Sequence, residues 1–224
     1  NDLEDIFLEV NHGPFIVDNN VFLSGSAIKT QSEGGAFVHN LIAGTVHNWN
    51  DPNRFTPYFL PHSTDMAGLT TIFGGDDRYY NNIFIGPGAG KVKEKEKYSL
   101  KGYENARLPV WIDGNIYCNG AVPSEKDAGF IALSSYDPGL ILSEENGNGY
   151  LLLSYDKLFI EYGVKTVTTA LLGKAKVPKA DFDSPDGTSL TIDHDFSGNK
   201  RTLENNPAGP FSNIRGGGNK IKLW

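Results

Sequence analysis

Glu9-Val10-Asn11-His12-Gly13-Pro14-Phe15-Ile16-Val17-Asp18-Asn19-Asn20 sets an acid, an imidazole, a Gly-Pro bend and an apolar strand within one short stretch. The strand Phe15-Ile16-Val17 ends in paired asparagines, and that ending recurs. Val17-Asp18-Asn19-Asn20-Val21-Phe22 is echoed by Phe37-Val38-His39-Asn40-Leu41-Ile42 and by Tyr79-Tyr80-Asn81-Asn82-Ile83-Phe84. A further copy is Trp111-Ile112-Asp113-Gly114-Asn115-Ile116-Tyr117. Each copy is a short β-branched and aromatic strand, a bend at asparagine, and a second short apolar strand. The interval from Asn20 to Asn40 suits one coil of a parallel β solenoid. The interval from Asn40 to Asn82 suits two coils, or one with a long loop, and Asn82 to Asn115 suits one coil with an insertion. In such an array equivalent strands pair above and below, and the bends stack. Asparagine fits a stacked bend because it tolerates left-handed backbone and its amide can bond to its neighbours in the stack.

Working outward, the expected fold is all-β, with parallel β-helix coils over residues 1–120, then antiparallel β strands and an irregular C-terminal tail over residues 121–224. A β-sandwich of regularly spaced short strands is the rival, but recurrence of the whole phrase favours a repeat. Residues 47–77 read as a long polar and aromatic loop leaving the coils. Pro52, Pro57 and Pro61 exclude continuous helix and a central strand there, and long loops are where function concentrates. Beyond Gly120 the strand candidates are Phe130–Leu133, Leu140–Leu142, Tyr150–Leu153 and Val164–Thr168, separated by Gly-rich turns. No segment carries convincing helix caps and period. The chain opens at Asn1 in what reads as mid-repeat, and is expected to be a piece of something longer. Its first coil should then present an open edge that associates with another chain or with the preceding segment.

Composition narrows the function classes. At 224 residues with 39% hydrophobic content the chain can bury a core, and 26 glycines and 12 prolines suit a turn-rich β protein. The net charge of −7 argues against a nucleic-acid partner, since no basic surplus is available to displace counterions. The basic run from Lys91 to Lys101 is interleaved with Glu94 and Glu96 and reads as a solvated loop. No apolar run approaches a membrane span. Cys118 stands alone, so it forms no intrachain disulfide and leaves the compartment open. A periplasmic or extracellular location is favoured over a cytoplasmic one.

Several motifs dissolve on inspection. Gly86-Pro-Gly-Ala-Gly-Lys91 lacks the spacing of a phosphate loop, and Asp181–Gly187 lacks the ligand order of a calcium loop, so both read as turns. No metal or cofactor is implied. His39, beside a stacked asparagine, reads as structural. Asp76 or Asp77 reads as the partner of Arg78. Glu9 is different. It follows the apolar Ile6-Phe7-Leu8 and precedes the Asn11-His12 shelf, a setting that suits a general acid. It could equally cap a turn by accepting backbone N–H bonds. Glu33 lies about one coil beyond Glu9, so the two carboxyls could meet on one face as paired glycosidase acids do.

Leu8-Glu9-Val10-Asn11-His12-Gly13-Pro14, Gly35-Ala36-Phe37-Val38-His39-Asn40-Leu41, Pro61-His62-Ser63-Thr64 and Gly74-Gly75-Asp76-Asp77-Arg78-Tyr79-Tyr80-Asn81-Asn82 together resemble the right-handed parallel β-helix β-xylosidases of glycoside hydrolase family 120. The likeness extends to Leu171–Lys174, Asp183–Gly187, Gly198–Arg201 and Pro207–Pro210, and so covers nearly the whole chain. The resemblance implies a right-handed helix and a retaining, exo-acting glycosidase of polysaccharide-degrading bacteria. It implies an Asp nucleophile and a Glu acid/base, the latter falling on Glu9 and the former on a segment before Asn1. A nucleophilic Glu9 with Glu33 as acid is the second assignment. An oligosaccharide substrate is expected to meet Asn11, His12, Trp49, Arg54 and His62, with His12 and His62 facing one cleft beside Glu9. The alternatives are a polysaccharide lyase using calcium at Asp76 and Asp77, or a non-catalytic carbohydrate-binding or structural piece.

Overall fold

The structure, a computed structural model, describes residues 4–88, 99–202 and 206–224. The chain visits three parallel sheets in rotation. The first is β1 (Glu4–Leu8), β4 (Ser26–Thr30) and β7 (Val46–Asn48). The second is β2 (Phe15–Asp18), β5 (Gly35–Val38), β10 (Asp77–Tyr80) and β12 (Val110–Asp113). The third is β3 (Val21–Phe22), β6 (Leu41–Ile42), β11 (Ile83–Ile85), β13 (Asn115–Cys118) and β14 (Phe130–Leu133). Three antiparallel sheets accompany them: β8 (Asp51–Phe59) with β9 (Met66–Ile72), β17 (Val167–Thr168) with β18 (Thr191–Ile192), and β15 (Ile141–Glu145), β16 (Asn148–Tyr155) and β19 (Gly217–Lys222).

This corrects the expected parallel β-helix followed by antiparallel strands. The sheets are separate, parallel and antiparallel, and the antiparallel pairs do not wait until residue 121. The segment read as a long loop is the β8–β9 hairpin. Pro52 and Pro57 are admitted because in a two-stranded sheet both strands are edges. Phe130–Leu133, expected to be antiparallel, pairs parallel with β13. The tail, expected to end in an alternating strand at Lys220–Trp224, supplies β19, an outer strand of the β15–β16–β19 sheet. Two one-turn helices also form, α1 (Lys157–Glu161) and α2 (Thr169–Leu172), capped by the side chains of Asp156 and Thr168. The Lys91–Lys101 run lies almost wholly outside the described residues.

The recurring asparagines stack as expected. The Asn40 Oδ1 accepts both the backbone and side-chain N–H of Asn20 at 2.9 and 3.2 Å. Asn82 serves Asn40 in the same way at 2.9 and 3.1 Å, and Asn115 serves Asn82 at 2.9 and 3.1 Å. The left-handed backbone is taken not by these residues but by the one before each, Asn19, His39, Asn81 and Gly114. Each repeat thus divides two tasks between neighbours: the first turns the chain, the second joins the stack. Asn82→Ala strands the N–H groups of Asn40, all deeply buried. A loss of about 1–3 kcal/mol per stranded group is expected in denaturant unfolding.

Inside, Phe37 stacks on Tyr79 at 4.6 Å and Phe84 on Tyr117 at 5.0 Å, with Phe22 and Ile42 in the same core. The outer faces of two parallel sheets are covered as well. Leu151, Leu153 and Tyr155 pack on Leu41, Ile83 and Ile116, while Val167, Leu172 and Phe182 pack on Ala36, Val38 and Tyr80. Their strands are accordingly apolar throughout. Arg78 pins one of these covers. It lies between Trp111 and Phe182, bonds the carbonyls of Leu172 and Lys174 at 2.9 and 2.6 Å, and pairs with Asp76. The β1–β4–β7 sheet differs: β1 alternates half-buried and exposed, and Phe7 is 42% exposed.

Asp77 is fully buried between the N–H of Gly35 at 2.8 Å and the hydroxyl of Tyr103 at 2.9 Å. Burial pushes its carboxyl up to about 8, against about 3.9 for a free aspartate. The folded state therefore keeps a proton that the unfolded chain releases. This stabilisation is complete below about pH 4 and is lost as pH rises through about 8. Asp77→Asn should remove that decline, so its unfolding midpoint should vary less than the parent's between these limits. Parallel pH profiles for the two proteins would exclude the idea.

Candidate functional site

The site grows from the end of the open sheet. Leu8, Thr30 and Asn48 are lateral partners, and the ladder continues through Gln31 N–H to Leu8 O at 2.9 Å and Trp49 N–H to Thr30 O at 3.0 Å. Glu9, Gln31 and Trp49 each follow one residue after these partners. The chain then turns at Val10–Pro14. Gly13 is required there: its backbone is left-handed, and a Cβ would stand 2.3 Å from the Gly34 carbonyl oxygen.

The hairpin folds back over this end. Arg54, Thr56 and Tyr58 alternate with Phe55 and Pro57, so they share one side of β8. Arg54 pairs with Glu9. Thr56 Oγ1 lies 2.8 Å from His12 Nε2, and the Tyr58 ring meets His12 edge-on at 6.3 Å. The other ring nitrogen, His12 Nδ1, lies 3.0 Å from Glu33 Oε1. Glu33 Oε2 accepts the Phe73 N–H at 2.9 Å. His12 and Glu33 are 2% and 0% exposed. This buried pair therefore holds both strands of the hairpin, through Thr56 on β8 and through Phe73 just after β9.

A cavity of about 440 Å³ opens beside it, lined by Val10–Pro14, by Pro57–His62 and by residues between Pro178 and Pro185. His12 and His62 both face it, and Asn11 contributes to its wall. His62 Nε2 lies 3.1 Å from Asp183 Oδ2. Glu9 does not line it but directly precedes Val10, which does, and is itself 37% exposed and paired with Arg54. The apolar shelter expected around Glu9 is absent. Glu33 does not reach the cavity. Trp49 stands apart as well, stacked on His47 at 5.6 Å in a different depression. The structure thus brings together Glu9 with Arg54, and Asn11, His12 and His62 in one wall.

Tyr58 belongs to the aromatic residues expected of this segment; Thr56 and Asp183 are partners that the sequence does not announce. Asp183 sits in the Asp181–Gly187 turn, which forms as read, with Gly187 N–H to Ser184 O at 2.8 Å. Only the fold carries that turn to His62. The alternation Arg54-Phe-Thr-Pro-Tyr58 carries a strand signal for Thr56, masked by Pro57. His39 is structural: it is fully buried, 3.0 Å from Asn81, and burial holds its imidazole well below the usual range. Asp76 and Asp77 offer no open calcium site. Asp76 is occupied by Arg78 and the Lys176 N–H, Asp77 by Gly35 and Tyr103. Among the described residues no cluster of three or more metal-ligating side chains occurs.

No protein-family profile matches the chain, and no curated protein matches it. A solved structure does. Over 99% of its length the chain is similar to XylC, determined in complex with xylose, with a TM-score of 0.87 and 36% sequence identity, and it spans 38% of the XylC chain.

Proposed function

We propose that this chain is the C-terminal portion of a retaining glycoside hydrolase acting on β-xylosides or related plant oligosaccharides. The observation that carries the reading is the likeness to a xylose-bound protein along 99% of the chain at 36% identity. The placement of Glu9 supports it. Glu9 follows β1, which pairs on one side only, with β4, among the described residues. A strand added to the other edge would set a second carboxylate about 4.8 Å away, close to the separation of about 5–5.5 Å that a retaining pair needs.

In this reading an Asp outside these residues attacks the anomeric carbon while Glu9 gives its proton to the departing oxygen. Glu9 then takes a proton from the water that releases the sugar. Arg54 holds Oε1 of Glu9 and leaves Oε2 for the substrate. Asn11, His12 and His62 line the adjoining cavity, and Glu33 positions His12 without touching the sugar. The occupied oxygens of Asp76 and Asp77 weigh against a calcium-dependent lyase.

The test is an assay of the full-length protein on 4-nitrophenyl β-xyloside and xylobiose, with the first-formed anomer read by proton NMR. Release of the β-anomer is expected. Release of the α-anomer, an unsaturated product that needs calcium, or no hydrolysis at all would each dismiss the reading.

A further inference from the structure

A second, smaller cavity of about 180 Å³ lies at the root of the hairpin and shares no lining residue with the larger one. Trp49 and Phe73 flank it, 43% and 39% exposed. Scattered exposed aromatics need no explanation, but these two share an opening with three asparagine amides, Asn48, Asn50 and Asn105. The Asn48 Oδ1 is buried and has no hydrogen-bond partner among the described residues. A buried acceptor left unpaired is costly, and a rotation of the amide that brought it to a ligand hydroxyl would relieve that cost.

Among the described residues no Asp, Glu, Lys or Arg lines the cavity. A phosphate or carboxylate ligand would find no counter-charge among these lining residues. What remains is aromatic surface for C–H faces and neutral amides that both donate and accept, which together match a ring bearing several hydroxyls. The volume suits one ring. We propose that this cavity is a second carbohydrate site, taking a single uncharged sugar ring stacked against Trp49. Its Asn48 lies two strands from Leu8, or about 10 Å along the stack.

The site is tested by binding, so its fate is separate from that of the hydrolase reading. Xylose and xylotriose are titrated into the full-length protein, with calorimetry and tryptophan fluorescence as readouts. Trp49→Ala and, separately, Asn105→Ala are compared with the parent. Both positions are at the surface, so neither change empties the core. Roughly tenfold weaker binding in each variant is expected for one class of sites. Wild-type affinity in either variant, or no sugar binding by the parent, overturns the site. Trp49-dependent binding by a protein that hydrolyses no xyloside would sink the hydrolase reading and leave this site standing.

Discussion

Glu9→Gln in the full-length protein is expected to slow hydrolysis of xylosides with poor leaving groups by about 10²–10⁴-fold, the usual contribution of a positioned acid/base. Glutamine keeps the shape of Glu9 but has no proton to give. An alkoxide leaving group then departs unassisted, and the first step suffers most. Activated aryl xylosides need no proton, so their first step should be spared and the glycosyl-enzyme should accumulate. Azide attacks that intermediate without base assistance and should restore turnover. Because Glu9 is surface-exposed and, among the described residues, paired only with Arg54, the change should leave the unfolding midpoint almost unmoved. Equal loss on both substrate classes, with no azide rescue, would take the acid/base role away from Glu9.

A large effect on stability is expected at Glu33. Glu33→Ala leaves His12 Nδ1 and the Phe73 N–H without their shared acceptor, in a place that is 0% exposed. Breaking a buried polar pair by removing one partner costs about 3–5 kcal/mol. In a domain of this size each kcal/mol lowers the midpoint by about 2–4 °C, so a fall of roughly 6–20 °C is expected. Hydrogen exchange gives a local check. The Phe73 amide should exchange much faster in the variant, because Glu33 is its anchor. Glu33→Gln keeps an oxygen for that amide and should lose less. A Glu33→Ala protein as stable as its parent, with Phe73 still protected, would show that the pair does not hold the hairpin.

These two glutamates show how far the sequence carries. Both were legible as candidate acids, and their spacing suggested that they face each other. They do not. Glu9 ends on the open face, while Glu33 is enclosed because the hairpin folds back and presents Thr56 and the Phe73 N–H to the buried pair. Those partners lie 44 and 40 residues away from His12 and Glu33 respectively, so no local pattern announces them. Trp49 is a similar case. It shares its segment with the other polar and aromatic residues, yet it lies at the root of the hairpin while His62 lies in the turn at its tip.

The sequence by itself determined the local unit. A short apolar strand, a left-handed bend residue and an asparagine recur, and the asparagine stack follows from them because its bonds run between equivalent positions of one phrase. The all-β character follows too, from β-branched and aromatic runs broken by glycine and proline. Tertiary structure alone decided how the strands divide among separate parallel and antiparallel sheets, since a strand's own residues do not say which edge it will meet. It also decided which sheet stays uncovered. Two parallel sheets are capped by segments from the last third of the chain, and the third is left to the hairpin and to Glu9. That choice rests on contacts such as Arg78 with Leu172 and Lys174, about a hundred residues apart, where burial of apolar surface, not local propensity, sets the outcome.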